Sequence, residues 1–186
     1  MDKNDFWQLI EASYQKAERE TDRQMEILIN KLSQCSQVDI LRFGKIYEIY
    51  ARESYQSKLW AAAYIMNGGC SDDGFDYFRG WLISRGKEPY LNALIDPDSI
   101  SELDMPSEDE DFENEEMLYV ALKAFSKNRG SDDYAYYQKI EEFELDPSEV
   151  TGILDEISFG EDIDVDWDEE EDTLVEILPK LYERYW

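Results

Sequence analysis

Leu59-Trp60-Ala61-Ala62-Ala63-Tyr64-Ile65-Met66 is the longest apolar run of the chain, and Gly68-Gly69 closes it. A half-buried helix would show polar residues on one face. A run that is apolar on every side and ends at paired glycines reads instead as a helix packed from several directions. The spacing predicts this helix as the hub of a helical bundle.

Downstream of it, Ser71 suits an N-cap, Asp72 and Asp73 suit the first helical turn, and Phe75, Phe78 and Leu82 share one face before Gly86. Pro89 suits the first position of a short helix over Tyr90, Leu91 and Leu94. Upstream lie three amphipathic stripes. Phe6, Ile10, Tyr14 and Ala17 follow Asn4; Met25, Leu28, Ile29 and Leu32 follow Thr21-Asp22; Phe43, Ile46, Tyr47 and Tyr50 follow a Ser36/Asp39 capping arrangement.

Residues 96–111 combine Asp96-Pro97-Asp98 and Pro106 with a block of acids, and are expected to form the main loop or linker. A helix returns over 113–127 through Leu118, Ala121, Leu122 and Phe125. Farther on, Tyr134, Tyr136 and Tyr137 favour a strand, whereas 147–157 suits a helix. Ile163, Val165 and Trp167 alternate with Asp162, Asp164 and Asp166, the pattern of a half-buried extended segment. Asp168 then suits the cap of a last helix with Leu174, Ile177, Leu181 and Tyr185 on its apolar face, kinked or split by Pro179.

The fold class that follows is mainly α: a single-domain orthogonal bundle of about seven to nine helices, with a short extended segment over 161–167. Residues 1–130 are expected to form the helical core and 131–186 an acidic C-terminal extension packed on the same domain.

The 186 residues suffice for a core that buries roughly 70% of the unfolded surface. With 42% hydrophobic and 14% aromatic residues, the chain is far too apolar to stay disordered despite a net charge of -27. No apolar run approaches the roughly 20 residues of a membrane span, and the first residues lack a cationic signal region, which implies a cytoplasmic protein. Cys35 and Cys70 are too few for a disulfide scaffold or a four-cysteine zinc site and are expected as free thiols.

The charge is unevenly placed. Residues 1–100 carry 12 Lys and Arg against 16 Asp and Glu, whereas 101–186 carry 6 against 29. Neither 102–116 nor 141–176 contains a cation. Such a surface repels nucleic acid and anionic membranes and attracts basic proteins.

The succession Leu-Trp-Ala-Ala-Ala-Tyr from Leu59, Gly-Gly-Cys-Ser-Asp-Asp-Gly-Phe from Gly68, Tyr-Phe-Arg-Gly-Trp-Leu-Ile from Tyr77 and the Asp96-Pro97-Asp98 turn resembles the bacterial domain-of-unknown-function family DUF4240. Phe6-Trp7-Gln8-Leu9-Ile10 and Leu178-Pro179-Lys180-Leu181 are also similar to it. The resemblance implies a bacterial origin and a helical domain, and it carries over no catalytic residue.

The chain has no histidine, which removes the commonest general base, every Ser-His or Cys-His pair and every His-ligated metal site. No Walker or dinucleotide fingerprint is present, so no cofactor is expected. Cys70 precedes a helix start, but Asp72 and Asp73 oppose a thiolate there. The run Asp162 to Asp168 resembles a calcium loop only superficially, because Trp167 stands where glycine is required and Thr173 where a bidentate glutamate belongs.

Beside a surface whose acidity serves solubility alone, two functional readings remain. In the first, the chain is a non-enzymatic binding module for a basic protein, using Asp162, Asp164, Asp166, Asp168 and Glu169 with Trp167 as an exposed anchor; an immunity protein against a cationic bacterial toxin is one concrete form. In the second, a ligand-binding or metal-dependent enzyme site lies near Trp60, Asp72, Asp73, Asp76 and Arg79. Asp76 and Arg79, three apart on a helix, are expected to pair.

Overall fold

The computed structural model describes residues 1–104, 111–130, 132–161, 164–168 and 171–186. Among them are eleven α-helices and two 3-10 helices, and no strand. The first seven α-helices are α1 (Lys3–Lys16), α2 (Thr21–Leu32), α3 (Gln37–Glu53), α4 (Ser57–Asn67), α5 (Asp72–Ser84), α6 (Lys87–Ile95) and α7 (Glu116–Lys127). The rest are α8 (Asp133–Glu142), α9 (Pro147–Leu154), α10 (Glu171–Ile177) and α11 (Pro179–Tyr185), with η1 (Pro97–Glu102) and η2 (Asn128–Gly130) as the 3-10 turns.

Several expected caps are formed. Ser71 Oγ accepts from Gly74 N at 3.1 Å and Ser36 Oγ from Asp39 N at 3.1 Å, each satisfying a donor that the helix leaves open. The cap of α1 is Asp2, in a capping box with Asp5. Pro89 stands at the third position of α6, not the first, still within the turn where no backbone donor is needed.

Three expectations are corrected. The tyrosines 134, 136 and 137 lie in a helix, because Asp132 caps it through Ala135 N and Tyr136 and Ile140, four apart, are its buried face. The 96–111 stretch is not wholly loop, since Asp96 accepts from Asp98 N at 3.2 Å and opens η1. The helix count exceeds nine because of α8 and because Pro179 splits the last helix into α10 and α11.

Leu59, Ala61, Ala62, Ala63 and Ile65 of α4 are fully buried as expected, but α4 is not the hub, since α5 touches α1, α3, α4, α6 and α7, and α7 touches α2, α3, α5, α8 and η2. Gly80 allows the close approach of the start of α7 to α5. A Cβ there would lie 2.7 Å from the Asn114 carbonyl oxygen, where the backbone crosses α5 and Asn114 N donates to Tyr77 O at 2.9 Å.

An aromatic cluster of Phe6, Trp7, Phe43, Tyr50 and Tyr90 joins α1, α3 and α6, with ring centroids 4.7 to 5.5 Å apart. Its polar tips are satisfied inside the core: Trp7 Nε1 donates to Tyr50 Oη at 3.0 Å and Tyr90 Oη to Tyr50 O at 2.6 Å. No helix among the described residues is long and apolar enough to cross a membrane.

Candidate functional site

The acidic segment is held from the first turn of α4. Ser57 Oγ donates to Val165 O at 2.6 Å, and Trp167 Nε1 donates to Ser57 O at 3.0 Å. The indole of Trp167 also lies 5.5 Å from the Tyr64 ring. Val165 and Trp167 are therefore half-buried, while Asp164, Asp166 and Asp168 are exposed, as the two-residue alternation predicts. Asp162 and Glu169 lie outside the described residues.

Trp167 is not the exposed anchor expected of it, because its ring is turned onto α4. The exposed ring of this cluster is Trp186, 51% accessible, which stacks on Tyr64 at 5.8 Å and lies 6.0 Å from Tyr182. The tie from Tyr64 to both tryptophans spans more than 100 positions and leaves no local signal, although the Tyr182/Trp186 spacing of four is visible in the sequence.

The two cations of residues 141–186 do not neutralise this surface. Lys180 Nζ pairs with Glu102 at 2.7 Å, and Arg184 donates to the carbonyls of Ser101 and Leu103. Both are drawn back to η1. Asp98, buried on η1, accepts from Lys180 N at 3.1 Å and Leu181 N at 2.9 Å, so it caps α11 from a distant part of the chain. No group of three acidic or cysteine side chains among the described residues is arranged to hold a metal ion.

The residues of the second reading are only partly brought together. Trp60 stacks on Phe75 at 4.8 Å, and the Arg79 guanidinium sits 4.8 Å from the Tyr55 ring and 5.0 Å from that of Phe75. Arg79 donates to the Asp76 carboxylate and to Ala51 O in the last turn of α3. This cluster is filled by its own side chains, with Arg79 8% exposed, and clamps α3 to α5. Asp72 and Asp73 stand apart from it, exposed in the first turn of α5. Burial, with Glu113 and Asp72 nearby, pushes the Cys70 thiol up to about 11, the opposite of an activated nucleophile.

A third cluster has no counterpart in the sequence reading. The Glu156 carboxylate accepts from Tyr50 Oη, and the Nζ atoms of Lys3 and Lys87 both lie 2.9 Å from it. Burial opposes its ionisation, but these hydrogen bonds prevail and hold the carboxyl below the ordinary glutamate range. Glu149 pairs with Arg42, and Lys3 also donates to Gly152 O. Long-range pairs of this kind carry no periodic signature.

Residues 1–127 match the family described as "Protein of unknown function (DUF4240)". The chain belongs to the DUF4240 family. The match ends with the last residue of α7, so α8 to α11 and the outward aspartates lie beyond the DUF4240 region. Phe6 to Ile10 fall within it, whereas Leu178 to Leu181 fall outside, which narrows the resemblance drawn at the C-terminal end. No curated protein and no solved structure matches the chain.

Proposed function

We propose that this DUF4240 protein is a non-enzymatic binding module that engages a basic protein through the acidic surface of its C-terminal region. The observation that carries this reading is the set Asp164, Asp166 and Asp168, held outward on a segment whose backbone and Trp167 are fastened to α4. Carboxylates spread along a fixed line match a broad cationic surface better than a single ion, and a segment already ordered loses less entropy on binding. Charge of this density steers and orients the encounter. Trp186, with Tyr64 behind it, offers the kind of aromatic ring that supplies affinity at an interface centre.

An immunity protein is one concrete form, since a basic nuclease toxin would be blocked by an acidic surface laid over its nucleic-acid site. The test is capture with the tagged protein in its host's extract, at low and moderate salt, beside a variant carrying Asp164→Lys, Asp166→Lys and Asp168→Lys. A basic protein retained by the parent, released by salt and missing with the variant supports the reading. Equal retention by the two proteins overturns it.

A further inference from the structure

The two cations of α11 turn the same way. Lys180 reaches Glu102, and Arg184 reaches the carbonyls of Ser101 and Leu103, all on or beside η1. What the helix shows to solvent is left without a positive charge. Glu183 and Trp186 are both exposed and stand three residues apart, neighbours on one helical surface. The Trp186 indole is held from behind by Tyr64 of α4, stacked at 5.8 Å with the ring planes 23° apart, and Tyr182 lies beside it at 6.0 Å. The rest of the indole is open to solvent. The cations that lie over aromatic rings among the described residues, Arg79, Arg85, Lys139 and Arg184, all use other rings.

The same chain shows what a ring beside a carboxylate accepts. The Arg79 guanidinium sits 4.8 and 5.0 Å from the centroids of Tyr55 and Phe75 while it donates to the Asp76 carboxylate. A guanidinium does both at once, because its N–H bonds lie in its plane and its face stays free for a ring. A lysine ammonium is a compact, strongly hydrated point charge with no flat face. Of the aromatic side chains, tryptophan attracts a cation most strongly.

We propose that Trp186 and Glu183 receive an arginine side chain of the basic partner, its guanidinium lying on the open face of the indole and donating to the Glu183 carboxylate. The assignment rests on the acidic-surface reading above and refines it. The outward aspartates attract any cationic chain, whereas the pair on α11 selects arginine over lysine. The pair is in place before the partner arrives, because the first turn of α11 is tied to Asp98 and its Leu181 is fully buried.

The probes are octa-arginine and octa-lysine, peptides of equal charge, each titrated by calorimetry into the full chain at moderate salt. The parent is expected to bind the arginine peptide about fivefold more tightly than the lysine peptide. Trp186→Leu, which keeps every carboxylate, abolishes that preference, and Glu183→Gln reduces it. Stepwise fluorination of the Trp186 indole weakens the negative potential of the ring face with little change of shape, and lowers the preference step by step. This series decides the matter even where Trp186→Leu disturbs the end of α11. A parent without preference overturns the assignment, and so does a preference that survives Trp186→Leu and full fluorination, since carboxylates alone would then account for it. The Asp164→Lys/Asp166→Lys/Asp168→Lys variant separates the two claims. Weaker binding of both peptides with the preference kept supports both, whereas unchanged binding with the preference kept supports the arginine site and refutes the acidic-surface reading alone.

Discussion

Helices α1 to α7 and helices α8 to α11 are held by different forces. In the first set, whole aromatic rings are enclosed: Phe6, Phe43, Tyr50, Phe75, Phe78, Trp81 and Tyr90 are almost completely buried. In the second set, each helix is fixed by one to three buried apolar side chains, such as Tyr136 and Ile140, Ile153, or Leu181, helped by hydrogen bonds to distant partners. Burying a large side chain contributes about 1.5–3 kcal/mol, whereas an exposed ion pair contributes about 0–1 kcal/mol. The outward charges of the C-terminal region can therefore vary without disturbing the aromatic core of α1 to α7.

The difference can be tested at both ends. Phe6→Ala, at the centre of the aromatic cluster, is expected to cost about 3–5 kcal/mol, read from the denaturant midpoint. Asp98→Ala, which removes the acceptor for the first turn of α11, is expected to cost about 1–2 kcal/mol. Its effect should be concentrated in hydrogen exchange of 179–185, with the aromatic cluster protected as before. If Asp98→Ala instead lowers protection evenly from α1 to α11, the two regions unfold as one unit and the contrast fails.

A smaller effect is expected with pH. The Glu156 carboxyl is depressed in the folded state, so its contribution is fully present above the ordinary value of 4.5 and is lost as pH falls below it towards the folded value. The Ile153 methyl resonance should report loosening of α9 over that acid range. In Glu156→Gln, the part of the titration owed to this carboxyl should disappear.

Much of the first region is legible in the sequence because its signals are local. Ser71 and Ser36 cap as expected, the apolar stripes of α1 to α3 are periodic, and the all-apolar run at α4 is buried except at the half-exposed Trp60 and Tyr64. Asp76 and Arg79 pair as their spacing predicts. The second region is less legible for a physical reason: its order comes from partners far away in the chain. Tyrosine clustering at 134–137 favours a strand until Tyr136 is seen to pack on Gly44 of α3, where even a Cβ would come within 2.7 Å of its hydroxyl. The alternation around Trp167 matches the alternating exposure of residues 164–168, but it does not reveal that Ser57 and Tyr64 are the partners of its inward side. The Glu156 cluster joins four separate stretches and could not be read from any one of them.

The smallest expected effect on stability carries the largest expected effect on function. Asp164→Lys/Asp166→Lys/Asp168→Lys should leave the unfolding midpoint unchanged, because all three side chains are exposed. The direct test of the docking surface is then a calorimetric titration of the captured basic protein into the parent and this variant at several salt concentrations. The account predicts that affinity for the parent falls steeply with salt, and that the stably folded variant shows no measurable binding. Affinity that is insensitive to salt and equal for the two proteins would contradict it.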